Sequence, residues 1–294
     1  MKMKQVAAVV LTVVLGLSAF AGCAPATNDA PESSVDVGSV VPSEDAVVDP
    51  TEEAPVDSEV LVMVTNAEFP PFEYVTDEAN GVVGEFAGVD VAIAKAIADS
   101  LGKELKIQNM EFTSVLLAIP QGKADFAAAG ITANDERRES MDFSDPYYVA
   151  TQYIIVAEDN ADIASAADLM DKAVGVVETY TGEMICRDMG IANLTSFKRG
   201  VEAVNELKNG KLDAVVIDSH TALALIAANA DVALKYVADA DAFETEEYAI
   251  AVQKGNTELL DAINEVLAQL KADGTIDVFV ATYTQAAGME DAAE

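Results

Sequence analysis

Tryptophan is absent, and histidine occurs once, at His220. A histidine-rich metal centre is therefore excluded, and no Cys and His residues cluster at metal-ligand spacing. The two cysteines, Cys23 and Cys186, are too few for a disulfide framework. Basic residues are scarce: 17 Lys and Arg face 51 Asp and Glu, for a net charge of −34. Such acidity argues against nucleic acid and against an anionic membrane surface as partners. It serves solubility, and it leaves room for one local basic spot that meets an anionic group.

A sizeable core is within reach, because 51% of the 294 residues are hydrophobic, many of them Ala and Val. The length suits one large domain or two modest ones. Lys2 and Lys4 precede an apolar run over residues 6–17, and small residues lead to Phe20-Ala21-Gly22-Cys23. The pattern is that of a secretory signal, and the run is short for a membrane span. Its end resembles a bacterial lipobox, with Phe20 where such motifs more often carry Leu. Residues 1–23 are thus expected to be a lipoprotein signal peptide, with Cys23 taking the lipid that anchors the chain to a membrane. Residues 24–58 are rich in Asp, Glu, Pro, Ser and Val, with no Lys or Arg. They lack periodicity and read as an acidic disordered tether.

Chemistry concentrates in Gly130-Ile131-Thr132-Ala133-Asn134-Asp135-Glu136-Arg137. An apolar run, Phe126-Ala127-Ala128-Ala129, leads into it as a buried strand. Asn134 suits an N-cap, and Asp135 and Glu136 a first helical turn. Glycine lets backbone approach a ligand closely. Helix-start N–H groups favour negative charge. An arginine fork grips a carboxylate through two charge-assisted bonds. The plain alternative is a strand–turn–helix corner with a surface arginine.

A second stretch repeats the approach to that corner. Gly122-Lys123-Ala124-Asp125 precedes the first strand, and Gly210-Lys211-Leu212-Asp213 precedes the strand Ala214-Val215-Val216-Ile217. Gly130 and Asp218 each lie five residues beyond the turn aspartate, at strand carboxyl ends, where open α/β sheets bind ligands. Two such units suggest two α/β lobes facing across a cleft. Further strands are expected at residues 60–64, 105–107, 153–156, 173–177 and 248–252. Helices are expected at residues 88–102, 112–121, 201–209 and 259–270, and from an N-cap at Thr181 to residue 189. The segment Thr65 to Tyr74, with Pro70 and Pro71, reads as an exposed loop that offers Phe69 to a ligand while Phe72 packs beneath it. Residues beyond 283 read as a frayed tail. Cys186 reads as a small buried apolar residue, and His220 as a solvated helix histidine.

Taken in order and spacing, Phe69-Pro70-Pro71-Phe72-Glu73, Gly88-Val89-Asp90-Val91, Gln121-Gly122-Lys123-Ala124-Asp125, Gly130-Ile131-Thr132, Asp142-Phe143-Ser144-Asp145-Pro146-Tyr147-Tyr148 and Lys271-Ala272-Asp273-Gly274-Thr275 resemble the extracellular solute-binding proteins of family 3. The resemblance spans roughly residues 59–284. It implies a two-lobed α/β fold of the periplasmic-binding-protein-like type II class, with a ligand cleft between lobes joined by two hinge strands. One lobe would comprise residues 59–148 and 252–294. The other would comprise 149–251, with hinges near 149–152 and 248–251. It implies further that the chain is not an enzyme and needs no cofactor. It would act as a monomer, capture an L-amino acid by lobe closure and deliver it to the permease of an ABC importer at the outer face of the membrane.

By the same resemblance Arg137 would hold the ligand carboxylate, helped by the Thr132 N–H and the helix start at Thr181. The Gly130 carbonyl, the Thr132 hydroxyl and Asp218 would receive the ammonium. Phe69 and Phe112 would sandwich the side chain. Asn66 stands where binders of basic ligands carry an acid, and Val177 and Ile217 where glutamine binders carry Lys and His. These residues point to a neutral L-amino acid, unless Glu68 and Glu178 turn inward and favour a cation. The rival readings are a lipoprotein sensor and a cyclohexadienyl-dehydratase-like enzyme on the same fold.

Overall fold

The computed structural model describes residues 59–288. The expected signal peptide with Cys23, and the tether, lie outside the described residues. No described helix is long and apolar enough to cross a membrane.

Two five-stranded sheets share one plan. In the first, the strands run in the order Glu104–Asn109, Val60–Thr65, Phe126–Ala127, Ala251–Gln253 and Met141–Phe143. In the second, the order is Asn193–Phe197, Ala173–Val177, Ala214–Asp218, Gln152–Ala157 and Leu234–Ala238. In each, the second strand is parallel to the first and third, and the fourth is antiparallel to both its neighbours. The two Gly-Lys-x-Asp turns feed the third strand of their respective sheets. They also close in the same way. The Asp125 carboxylate accepts from the Val62 N–H at 2.6 Å, and the Asp213 carboxylate from the Ala173 N–H at 2.8 Å. Each thus ties the start of the third strand to the second. The repeated turn is therefore one structural device used twice.

Helices cover both faces of both sheets, so central strands read as unbroken apolar runs. Ile154 and Val156 enter one core while Ile155 enters another on the opposite face, as period-2 side chains must. Helices Val89–Ser100, Thr257–Ala272 and Thr275–Ala286 bury Val89, Ile93, Ile97, Ile263, Leu267 and Ile276 against one face of the first sheet. The last of these helices was not among those expected, and its end, residues 284–286, extends into what was read as a frayed tail. Its run of β-branched residues carries weak helical periodicity. Phe279, Val280 and Tyr283 nevertheless pack onto the core, and tertiary contact overrides propensity.

The expected single strand over 248–252 is two strands. Glu246–Tyr248 pairs antiparallel with Tyr148–Ala150, and Ala251–Gln253 joins the first sheet. The chain passes from one lobe to the other along the first pair, and the break at Ala249 and Ile250 marks the change of partner. The exposed loop expected around Pro70 and Pro71 is also corrected. Glu68–Phe69 and Glu73–Val75 form a small sheet with Phe86–Ala87, and Phe69 is only 3% exposed. The prolines occupy the hairpin's turn, where no ladder N–H is needed. Cys186 is fully buried, which pushes its thiol up to about 12.

Gly88 joins the small sheet to the helix that follows. Its φ is +124°, and a Cβ there would lie 2.1 Å from the Phe72 carbonyl oxygen. Backbone cannot yield to such a clash without shifting the aromatic core. Gly88→Ala is expected to destabilise by roughly 3 kcal/mol or more in urea unfolding. Gly102→Ala makes the control: φ is +65° but the space is open, so only the left-handed penalty of about 1–2 kcal/mol applies.

Candidate ligand-binding site

The carboxyl ends of the two third strands face each other. After Phe126–Ala127 the chain runs through Gly130, whose φ is +54°, to a short helix Asp135–Arg138 capped by Asn134, which accepts the Arg137 N–H at 2.9 Å. Gly130 is held from behind: its N–H donates to Asp90 at 2.9 Å. A Cβ on Gly130 would come within 2.6 Å of the Phe69 ring, so only glycine lets that ring lie flat against the strand end. On the other side, Ala214–Asp218 ends in Asp218, which begins helix Ser219–Ala228 and accepts from the Tyr248 hydroxyl at 2.6 Å.

Between them lies a small cavity lined by Phe69, Phe112, Ala129, Gly130, Thr132, Arg137, Tyr180, Thr181 and Asp218. Seven of the eight residues singled out in the sequence meet there. Asn66 does not line it. Its amide donates to the Met110 carbonyl at 3.0 Å and accepts from the Tyr180 hydroxyl at 3.2 Å, so it stands behind Tyr180. Thr181 is the first residue of helix Thr181–Asp188 rather than its cap; Tyr180 holds the cap position, and its side chain makes no capping bond.

Arg137 is 7% exposed. It donates to the Thr132 carbonyl and to the Thr179 carbonyl, both at 3.0 Å, and its guanidinium lies over the Phe112 ring at 5.4 Å. It thereby ties one lobe to the other. One hydrogen on each terminal nitrogen remains for a carboxylate. Glu246, which the sequence did not single out, accepts from the Thr132 hydroxyl at 2.7 Å and from Gln152 at 2.8 Å. Gln152 also reaches the Thr181 hydroxyl at 3.3 Å. Glu246, Tyr248 and Gln152 sit at the ends of crossover segments. Only the pairing of those segments brings them together, and no local pattern announces it.

Burial and the neighbouring Glu246 push Asp218 up to about 7. Burial pushes Asp90 to about 6, against the pull of the Gly130 N–H, and pushes Glu73 well above its usual range. His220 is not solvated. It packs edge-on against Tyr148, whose hydroxyl lies 2.9 Å from its Nε2, and burial lowers its pKa. It lies outside the cavity.

The two carboxyl groups that could draw a cation point elsewhere. Glu68 pairs with Arg199 at 2.6 Å on the surface, and Glu178 is exposed. The cavity therefore combines two charged groups, Arg137 and Asp218, with the rings of Phe69, Phe112 and Tyr180.

Two α/β lobes on a pair of crossover strands, enclosing such a cavity, define a binding protein that holds a small ligand between its lobes. Residues 61–286 match the family model of bacterial extracellular solute-binding proteins, family 3, and the chain belongs to that family. It is 33% identical over 221 residues to the arginine-binding extracellular protein ArtP of Bacillus subtilis, covering 74% of this chain and 83% of ArtP. Among solved structures it is similar to an ancestral arginine-binding protein bound to glutamine, with 39% identity and TM-score 0.70, covering 77% of this chain and 98% of that one. It is also similar to the ABC transporter substrate-binding protein AbpA of Streptococcus pneumoniae bound to L-arginine, with 32% identity and TM-score 0.72, covering 79% of this chain and 97% of that one.

The buried carboxyls give stability a definite pH dependence. Asp90 and Asp218 titrate near 6 and 7 in the folded chain and near 4 when unfolded, so the folded state holds protons the unfolded state has released. Their contribution is lost as pH rises through 6 and 7. The ligand-free protein is expected to gain on the order of a few kcal/mol between about pH 8 and pH 5 in denaturant titrations. The trend reverses in stronger acid, where carboxylates held below their usual range, such as Asp142 by the Gly255 N–H and Asp168 by the Ala164 N–H, take up protons.

Proposed function

We propose that this chain captures a neutral L-amino acid between its lobes and hands it to an ABC importer. One observation carries the reading: Arg137 from one lobe and Asp218 from the other line the same cavity. An α-amino acid offers a carboxylate and an ammonium on one carbon, which is the complement of that pair. Arg137 takes the carboxylate, with the Thr132 N–H and the N–H groups that open helix Thr181–Asp188 as further donors. Asp218, the Gly130 carbonyl and the Thr132 hydroxyl take the ammonium. Each charge-assisted bond contributes ~1.5–3 kcal/mol, and micromolar binding requires only about 8 kcal/mol.

The relatives' names speak of arginine, and one solved relative holds glutamine. A neutral ligand is favoured here because Asp218, the one carboxylate among the residues lining the cavity, is taken by the ammonium and leaves none for a cationic side chain. Residues 59–148 with 252–294 form one moving lobe in this reading, and 149–251 the other. The crossover pair Tyr148–Ala150 and Glu246–Tyr248 is the hinge. Lipid on Cys23 holds a monomer at the outer face of the membrane, with residues 24–58 as the spacer to the permease.

Calorimetry of the chain, unfolded and refolded to remove carried-over ligand, tests this against the common L-amino acids. Saturable binding of neutral amino acids is expected, lost in Arg137→Ala. Asp218→Asn is expected to abolish binding yet leave the ligand-free fold as stable or more so, because it removes a buried carboxylate. Affinity should fall about tenfold per pH unit well below pH 7, where Asp218 is protonated and no longer pairs with an ammonium. Micromolar arginine binding with no neutral ligand would sink the neutral assignment.

A further inference from the structure

The space between the Phe69 and Phe112 rings is already filled. Tyr180 is edge-on to Phe112 at 4.7 Å and 65°, and to Phe69 at 5.7 Å and 76°, which are favoured aromatic geometries. Its hydroxyl donates to Asn66, and Asn66 is itself held by the Met110 carbonyl. A ligand pinned by its carboxylate at Arg137 and its ammonium at Asp218 directs its side chain towards this space and meets the Tyr180 ring. The cavity left over, about 10 Å³, falls far below the roughly 300–1,000 Å³ of ordinary small-molecule sites.

The backbone fixes that ring in place. Thr179 has φ +65°, the sole positive φ outside glycine among the described residues. That conformation is a genuine outlier for a β-branched residue and persists only where its surroundings over-determine it. Here they do. The Thr179 N–H donates to Glu183 at 2.6 Å, and its carbonyl accepts from Arg137. Its hydroxyl meets that of Thr113, across the cleft, at 3.2 Å. Glu183 is anchored in turn by Arg187 at 2.6 Å and by Ser196. Three groups therefore hold the strained turn that aims the next side chain into the cavity.

We propose that Tyr180 sets the ligand's size: its ring occupies the space between Phe69 and Phe112, so the site takes amino acids with small side chains, and shortening Tyr180 opens it to longer ones. The inference rests on the amino-acid reading above and narrows it to the class of glycine, alanine and serine.

Calorimetry with alanine, serine, glutamine and arginine, on the full chain and on Tyr180→Ala and Tyr180→Thr, tests it. The unaltered chain is expected to bind alanine or serine at least tenfold more tightly than glutamine or arginine. Both variants are expected to reverse that order, by a factor in the 10–200-fold range that pocket size typically commands. Glutamine or arginine binding to the unaltered chain as tightly as alanine would overturn the size filter while leaving the amino-acid reading intact. An unchanged order of preference in both variants would do the same. Failure of all four to bind any of the three folded proteins would overturn both.

Discussion

One buried guanidinium joins the two halves of this molecule. Arg137 reaches the Thr132 carbonyl in its own lobe and the Thr179 carbonyl in the other. A guanidinium suits the task because it stays charged when buried and presents several donors in one plane. Much of the cleft depends on that contact. It holds Thr179 in a left-handed turn, and the turn aims Tyr180 between Phe69 and Phe112. It also leaves donors for the cavity that Phe69, Thr132, Tyr180 and Asp218 line from both lobes.

Around this cation the chain gathers more acid than it needs for neutrality. Asp218 and Glu246 lie nearby, with Asp90 and Glu73 behind them, all buried. In an ordinary core such a cluster is a liability, since taking carboxylates out of water is costly unless they are paired. Part of the cost is relieved by protons, as the raised values of Asp218 and Asp90 record. An ammonium group arriving beside Asp218 would relieve it further. The site's instability without ligand and its affinity for one are thus two aspects of the same electrostatics. The acid excess of the whole chain is a separate matter, spread over a solvated surface.

Duplication sets the positions of the two reactive strand ends. Each lobe ties its third strand to its second through a turn aspartate and a backbone N–H. Each then delivers a polar or conformationally special residue five positions later, Gly130 in one and Asp218 in the other. Two copies of a plan that exposes its carboxyl ends, joined by a pair of crossover strands, face their binding edges towards each other.

Most of this framework is legible in the order of residues alone. Buried parallel strands are continuous apolar runs, the repeated Gly-Lys-x-Asp turns mark matching positions, and Gly130, Thr132 and Arg137 are adjacent in the chain, so their cooperation is local. Motifs resembling the family supplied Asp218, Phe69 and Phe112. Short strands such as Asn193–Phe197 and the final helix Thr275–Ala286 were not legible, because their propensities are weak and packing decides them. Residues far apart in sequence acquire their roles only when the chain folds. Gln152, Glu246 and Tyr248 meet the site through pairing of the crossover segments. Asn66 turns to Tyr180 instead of the cavity, and Tyr180 points inward because Arg137 and Glu183, from different elements, hold a strained turn. A left-handed threonine has little signature in its own neighbours: beside Glu183, the groups that hold it, Arg137 and Thr113, come from across the cleft, and only the folded chain brings them there.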